Sequence, residues 1–68
     1  MVESINGLGL ALAGQGQYDQ AFRQYARALE IRPEYLPSLI NWGLGLAKEK
    51  RFAEAIAKYN AALNLEPN

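Results

Sequence analysis

Apolar residues recur along the first half of the chain with helical spacing. Ile5, Leu8, Gly9 and Leu12 follow one another at steps of three, one and three, which puts them on one stripe of an α-helix. The run Gly14-Gln15-Gly16-Gln17 breaks that stripe, because glycine readily takes the left-handed conformation that ends helices. A second stripe follows at Ala21, Phe22, Tyr25, Ala28 and Leu29, and Pro33 closes it. Asp19 suits the positive dipole end of this second helix, and its spacing to Arg23 favours an i,i+4 pair. The logic then repeats. Pro37 is preset for a first helical turn, a turn falls at Lys50-Arg51, Glu54 and Lys58 are spaced to pair on the surface, and Pro67 ends the last helix. Four helices are predicted, over about 3–14, 19–32, 37–49 and 53–66.

The repetition is literal. A shift of 34 residues aligns the halves without a gap, and the positions it makes identical include Gly9/Gly43, Leu10/Leu44, Leu12/Leu46, Ala13/Ala47, Ala21/Ala55, Tyr25/Tyr59, Ala28/Ala62, Leu29/Leu63 and Pro33/Pro67. Ile5/Leu39, Leu8/Trp42, Tyr18/Phe52, Phe22/Ile56 and Ile31/Leu65 keep their chemistry. A fixed period of this length marks a stacked two-helix unit. Copy one spans 2–35 and copy two 36–68, so the chain stops at a repeat boundary.

Composition removes several classes of function. The 68 residues include 7 Lys+Arg against 7 Asp+Glu, and neither His nor Cys, which bounds the chain to one small domain. There is then no zinc finger, no thiolate or imidazole metal site, no disulfide framework and no Ser-His or Cys-His pair. A formal charge of zero and a pI near 6.2 create no global field for nucleic acid or an anionic membrane. Half the residues are hydrophobic and the mean hydropathy is −0.19, the balance of a folded soluble chain. The apolar run from Leu8 to Gly14 resembles a signal-peptide core, but Glu3 precedes it and no Lys or Arg does. It is also far shorter than the roughly 20 residues of a membrane span, and it recurs from Trp42 to Ala47. A soluble, cytoplasmic location is the default expectation.

Candidate chemistry is sparse. Gly7-Leu8-Gly9 and Gly43-Leu44-Gly45 neither continue as a dinucleotide fingerprint nor follow a predicted strand, so close helix packing explains them. Asp19 is the only Asp, the Glu residues scatter over helix surfaces, and Ser4 and Ser38 have no base available. No enzymatic activity, cofactor or metal is expected. Arg23, Arg27 and Arg32 lie along the second helix and Lys48, Lys50 and Arg51 at the second turn. Asp19, Glu30, Glu34, Glu49 and Glu54 flank them, which makes a mixed solvated surface rather than a nucleic-acid strip.

The repeat resembles the tetratricopeptide family, with Ile5, Leu8-Gly9, Leu12, Ala21, Tyr25, Ala28 and Pro33 in copy one. Copy two supplies Leu39, Trp42-Gly43, Leu46, Ala55, Tyr59, Ala62 and Pro67, and one departure is Trp42, where leucine is usual. The resemblance covers essentially the whole chain. It implies an all-α fold of two tandem helix-turn-helix hairpins stacked as a short right-handed α-solenoid. It also implies a concave groove, lined by the first helix of each hairpin, that holds a peptide. By position the lining is Glu3, Asn6, Leu10 and Ala13 from copy one, and Pro37, Ile40, Asn41, Leu44, Ala47 and Lys48 from copy two. Relatives that clamp a C-terminal carboxylate use a Lys and Asn set across three repeats, of which only Asn41 is matched.

Two expectations follow. The first is a non-catalytic protein-interaction module with an apolar groove around Leu10, Ile40 and Leu44 flanked by two asparagines. The second is self-association, with a dimer as first guess: open-end pairing about a two-fold axis, end-to-end stacking, or exchange of helices between chains. Repeats stack, and Ile56, Tyr59, Ala62, Leu63 and Leu65 should face the place of a third repeat. The alternative is an engineered or excised repeat unit whose only activity is homo-oligomeric assembly.

Overall fold

The computed structural model describes residues 1–65. Four helices run in the order α1 (Val2–Gly14), α2 (Tyr18–Ile31), α3 (Leu36–Lys48) and α4 (Phe52–Leu65), with no strand among the described residues. Each opens one residue earlier than the stripes suggest. The apolar residues Val2, Tyr18, Leu36 and Phe52 form the first turns, and no side-chain cap bond precedes the first three helices. The expectations for Glu66 and Pro67 lie outside the described residues.

Both intra-hairpin turns are built the same way. After α1 the Gly16 N–H donates to Ala13 O and the Gln17 N–H to Leu12 O, each at 2.9 Å. After α3 the Lys50 N–H donates to Ala47 O and the Arg51 N–H to Leu46 O, again at 2.9 Å. This double closure requires a left-handed residue just past the helix end. Gly16 fills it at φ +80°, and Lys50 fills the equivalent place at φ +64° despite its side chain. Between the hairpins, Pro33 forces the preceding Arg32 into an extended conformation, which stops α2. Pro37 then sits in the first turn of α3, where its missing N–H goes unneeded.

The helices of each hairpin pack tightly, α3 packs onto α2, and α1 touches α3 more sparsely. The core lies where the hairpins meet. Ala21, Phe22, Tyr25, Leu46 and Ala55 form it, with Leu12, Tyr18, Trp42 and Tyr59 packed around them. Close approach within each hairpin needs a missing side chain: a Cβ on Gly9 would lie 2.5 Å from Tyr25 Cε1, and one on Gly43 2.6 Å from Tyr59 Cε1. The result is a slab of 33 × 30 × 15 Å.

The surface charges pair differently from their spacing. Among the described residues the ion pairs are the N-terminal ammonium with Glu3, and Arg51 with Glu49 and Glu54. Arg51 grips Glu54 with two bonds of 2.9 Å, from Nε and Nη2, and thereby takes the carboxylate expected for Lys58. The Lys58 ammonium instead lies 3.7 Å above the centre of the Trp42 ring. Asp19 and Arg23 do not meet; on an exposed helix face such a pair gains little over two solvated ions.

Candidate peptide-binding groove

The groove forms where α1 and α3 run side by side over the base of α2. Leu10 and Leu44, identical residues one repeat apart, stand on its two sides, 47% and 48% exposed. Between them is an open cavity of about 300 Å³ lined also by Ala13, Asn41 and Lys48. Five of the residues expected by position thus meet around one space. Tyr18 and Tyr25 from α2 complete the lining, with Gly14 and Gly45 at its edges. The helical stripe places Tyr25 in the hairpin core and gives Tyr18 no role in the groove. For Tyr25 the available signal was Gly9, whose missing Cβ lets the ring lie directly against α1.

The remaining expected residues lie elsewhere. Asn6 is buried, and its side-chain carbonyl accepts from Ser38 Oγ at 2.9 Å and from Asn41 Nδ2 at 3.2 Å. This corrects the expectation of two asparagines flanking an open face: one amide ties α1 to α3, and the other is partly consumed by it. Ser38, fully buried, is the donor of that tie. Ala47 packs against the core. Ile40 lines a second cavity of about 290 Å³ with Leu36, Tyr59, Ala62 and Leu63, on the α4 side. Glu3 and Pro37 are exposed and outside both cavities.

The electrostatics of the groove are simple. Among the described residues, Lys48 is its one cation. Tyr25 is fully buried, and its hydroxyl is the one buried side-chain polar atom without a partner among the described residues. That burial pushes its phenol above the ordinary value. Outside the groove, the bonds from Arg51 hold the Glu54 carboxyl below its ordinary range. Glu3 is lowered too, first by its own backbone N–H and then by the N-terminal ammonium.

At the outer edge, Ile56, Leu63 and Leu65 are 57%, 65% and 43% exposed. Tyr59 and Ala62 were expected with them, but Ala62 is buried and Tyr59 half-buried, because the ring fills the gap left by Gly43. Phe52 joins the exposed row at 59%.

Two antiparallel helix pairs, stacked in register and presenting a groove from their first helices, define a helical-hairpin repeat scaffold. No helix among the described residues is long and apolar enough to cross a membrane. One tetratricopeptide repeat model matches residues 2–35 and a second matches residues 37–68. The chain belongs to the tetratricopeptide repeat family, whose repeats are protein–protein interaction modules.

Proposed function

We propose that the chain is a non-catalytic module that binds a peptide segment of a partner protein in the groove between α1 and α3. The observation that carries this reading is the cavity of about 300 Å³ between the two half-exposed leucines. Its walls are apolar, and the polar residues it offers are Asn41, Lys48 and Tyr18. A matching peptide places an aliphatic side chain between Leu10 and Leu44 and a carboxylate near Lys48. Screening a display library of short peptides against the chain tests this. Selected peptides should pair an aliphatic residue with an acidic one and lose at least tenfold in affinity with Leu44→Glu and with Lys48→Glu. Peptides that bind the variants as well as the parent chain would refute the assignment.

A second reading concerns the exposed row on α4. Phe52, Ile56 and Leu63 are exposed apolar residues of α4, and Leu63 also lines the cavity beside Ile40 of α3. This supports self-association through α4. The Leu44→Glu variant separates the readings: assembly as the sole activity predicts that no peptide is selected by the groove at all.

A further inference from the structure

The two hairpins place the same sequence positions in different surroundings. Tyr18, Phe22 and Leu29 of α2 correspond to Phe52, Ile56 and Leu63 of α4. On α2 the row lies under α3, and Phe22 is only 8% exposed. On α4 the three residues remain 59%, 57% and 65% exposed. The covering surface shows the converse. α3 lays Trp42 and Gly45 on α2: the Trp42 and Phe22 rings are stacked at 6.1 Å, and a Cβ on Gly45 would come within 2.7 Å of Phe22 Cε1. The counterparts on α1 are Leu8, 50% exposed, and Ala11, also exposed. Among the described residues the chain therefore carries one inter-repeat contact made, and both halves of a second one unmade.

We infer that α1 of a second copy of this chain covers α4, in the register that α3 uses on α2. This rests on the self-association reading above and specifies its partner face. Side-chain volumes support the register. Phe22 is accommodated because position 45 has no Cβ. At the equivalent joint Ile56 stands for Phe22 and Ala11 for Gly45, so a smaller side chain on one surface meets an added methyl on the other. Leu8 then takes the place of Trp42, and Phe52 that of Tyr18. The polar tie does not recur. Ser4 of the incoming copy faces Ile40, which occupies the position where Asn6 accepts from Ser38. Pairing two α4 faces about a two-fold axis would leave Leu8 and Ala11 uncovered, whereas stacking covers both faces in one contact. Such a contact is heterologous. Each added copy presents a fresh α4, so the assembly grows as an open stack instead of closing at a dimer.

Light scattering across a hundredfold concentration range tests the proposal on four samples: the parent chain, Leu8→Glu, Ile56→Glu, and an equimolar mixture of the two variants. The parent mass should climb past twice the 7.5 kDa of one chain without a plateau. Each variant alone should stay at the mass of one chain. The mixture should form one-to-one pairs and nothing larger, since one variant keeps its α4 face and the other its α1 face. Circular dichroism checks that helix content is unchanged, and Ala11→Glu with Leu63→Glu forms a replacement pair if it is not. A parent chain that stays monomeric throughout overturns the stacking and the self-association reading alike. Leu8→Glu dimerising as the parent does, with nothing new in the mixture, overturns the stacking alone and leaves association through α4.

Discussion

Adding one methyl at two positions of α1, two residues apart, should have opposite effects. Gly7 has nothing within 4 Å of a built Cβ, so Gly7→Ala gains the difference in helix propensity, about 1 kcal/mol. Gly9 gains the same propensity, but its new Cβ would sit 2.5, 2.9 and 3.1 Å from Cε1, Cδ1 and Cζ of Tyr25. Those are ring atoms of a fully buried side chain that belongs to the core cluster. Overpacking of this kind costs about 1–3 kcal/mol. Three overlapping atoms argue for the upper end, leaving Gly9→Ala a net loss of about 2 kcal/mol. The two variants should then differ by about 3 kcal/mol, or more than about 12 °C in Tm for a domain of this size. Thermal unfolding followed by circular dichroism reads this directly, at one fixed concentration so that assembly does not shift the midpoint. Gly43→Ala makes a graded control: its Cβ meets Tyr59 at 2.6 Å, but Tyr59 is half-buried on the open α4 side and can give way. The expected order of stability is Gly7→Ala, parent, Gly43→Ala, Gly9→Ala. A Gly9→Ala chain as stable as Gly7→Ala would refute the view that ring-to-backbone contact holds α1 against α2.

Three further outcomes are expected. Lys50→Gly should stabilise by about 0.5–1 kcal/mol, since it removes a left-handed strain of about 1–2 kcal/mol and returns part of it as chain entropy, while Gly16→Ala should do the reverse; urea unfolding measures both. Asn6→Ala strands the buried Ser38 hydroxyl and should cost about 1–3 kcal/mol, and the double change Asn6→Leu with Ser38→Ala should recover much of it in the same assay. In a pH titration of stability, the raised Tyr25 phenol favours the neutral form in the fold, so its contribution is complete below about pH 10 and is lost as pH rises through the higher folded value. Tyr25→Phe should flatten that alkaline loss. On the acid side the lowered Glu54 contributes above its ordinary range of about pH 4.3 and is lost as pH falls, weakly because the pair with Arg51 is exposed.

Much of the architecture was legible in one dimension because the hairpins are local. Stripes at helical spacing, two turn segments and an exact 34-residue shift define four helices and the order in which they meet, and all of these are short-range properties. The same regularity put Leu10, Ala13, Asn41, Leu44 and Lys48 around one groove, since identical positions of stacked repeats face the same way. Individual side-chain fates were less accessible. Asn6 and Asn41 have equal claims to an open face on spacing alone. Only the distance between α1 and α3 shows that Asn6 is drawn inward by Ser38. Glu54 had cations on both sides within three or four residues, and the turn at Lys50-Arg51 delivered Arg51 with better geometry than Lys58.

The sequence by itself thus determined the helices, the hairpins and the repeat, because periodicity, chain reversal and small residues act between near neighbours. Tertiary structure decided which tyrosines line the groove, which asparagine is consumed, and which equivalent residue is covered. Ile56 and Phe22 occupy the same place in their repeats, and nothing in their local pattern separates them. What separates them is that a following hairpin packs on α2 and none packs on α4 among the described residues, so burial here is a property of the neighbour rather than of the residue.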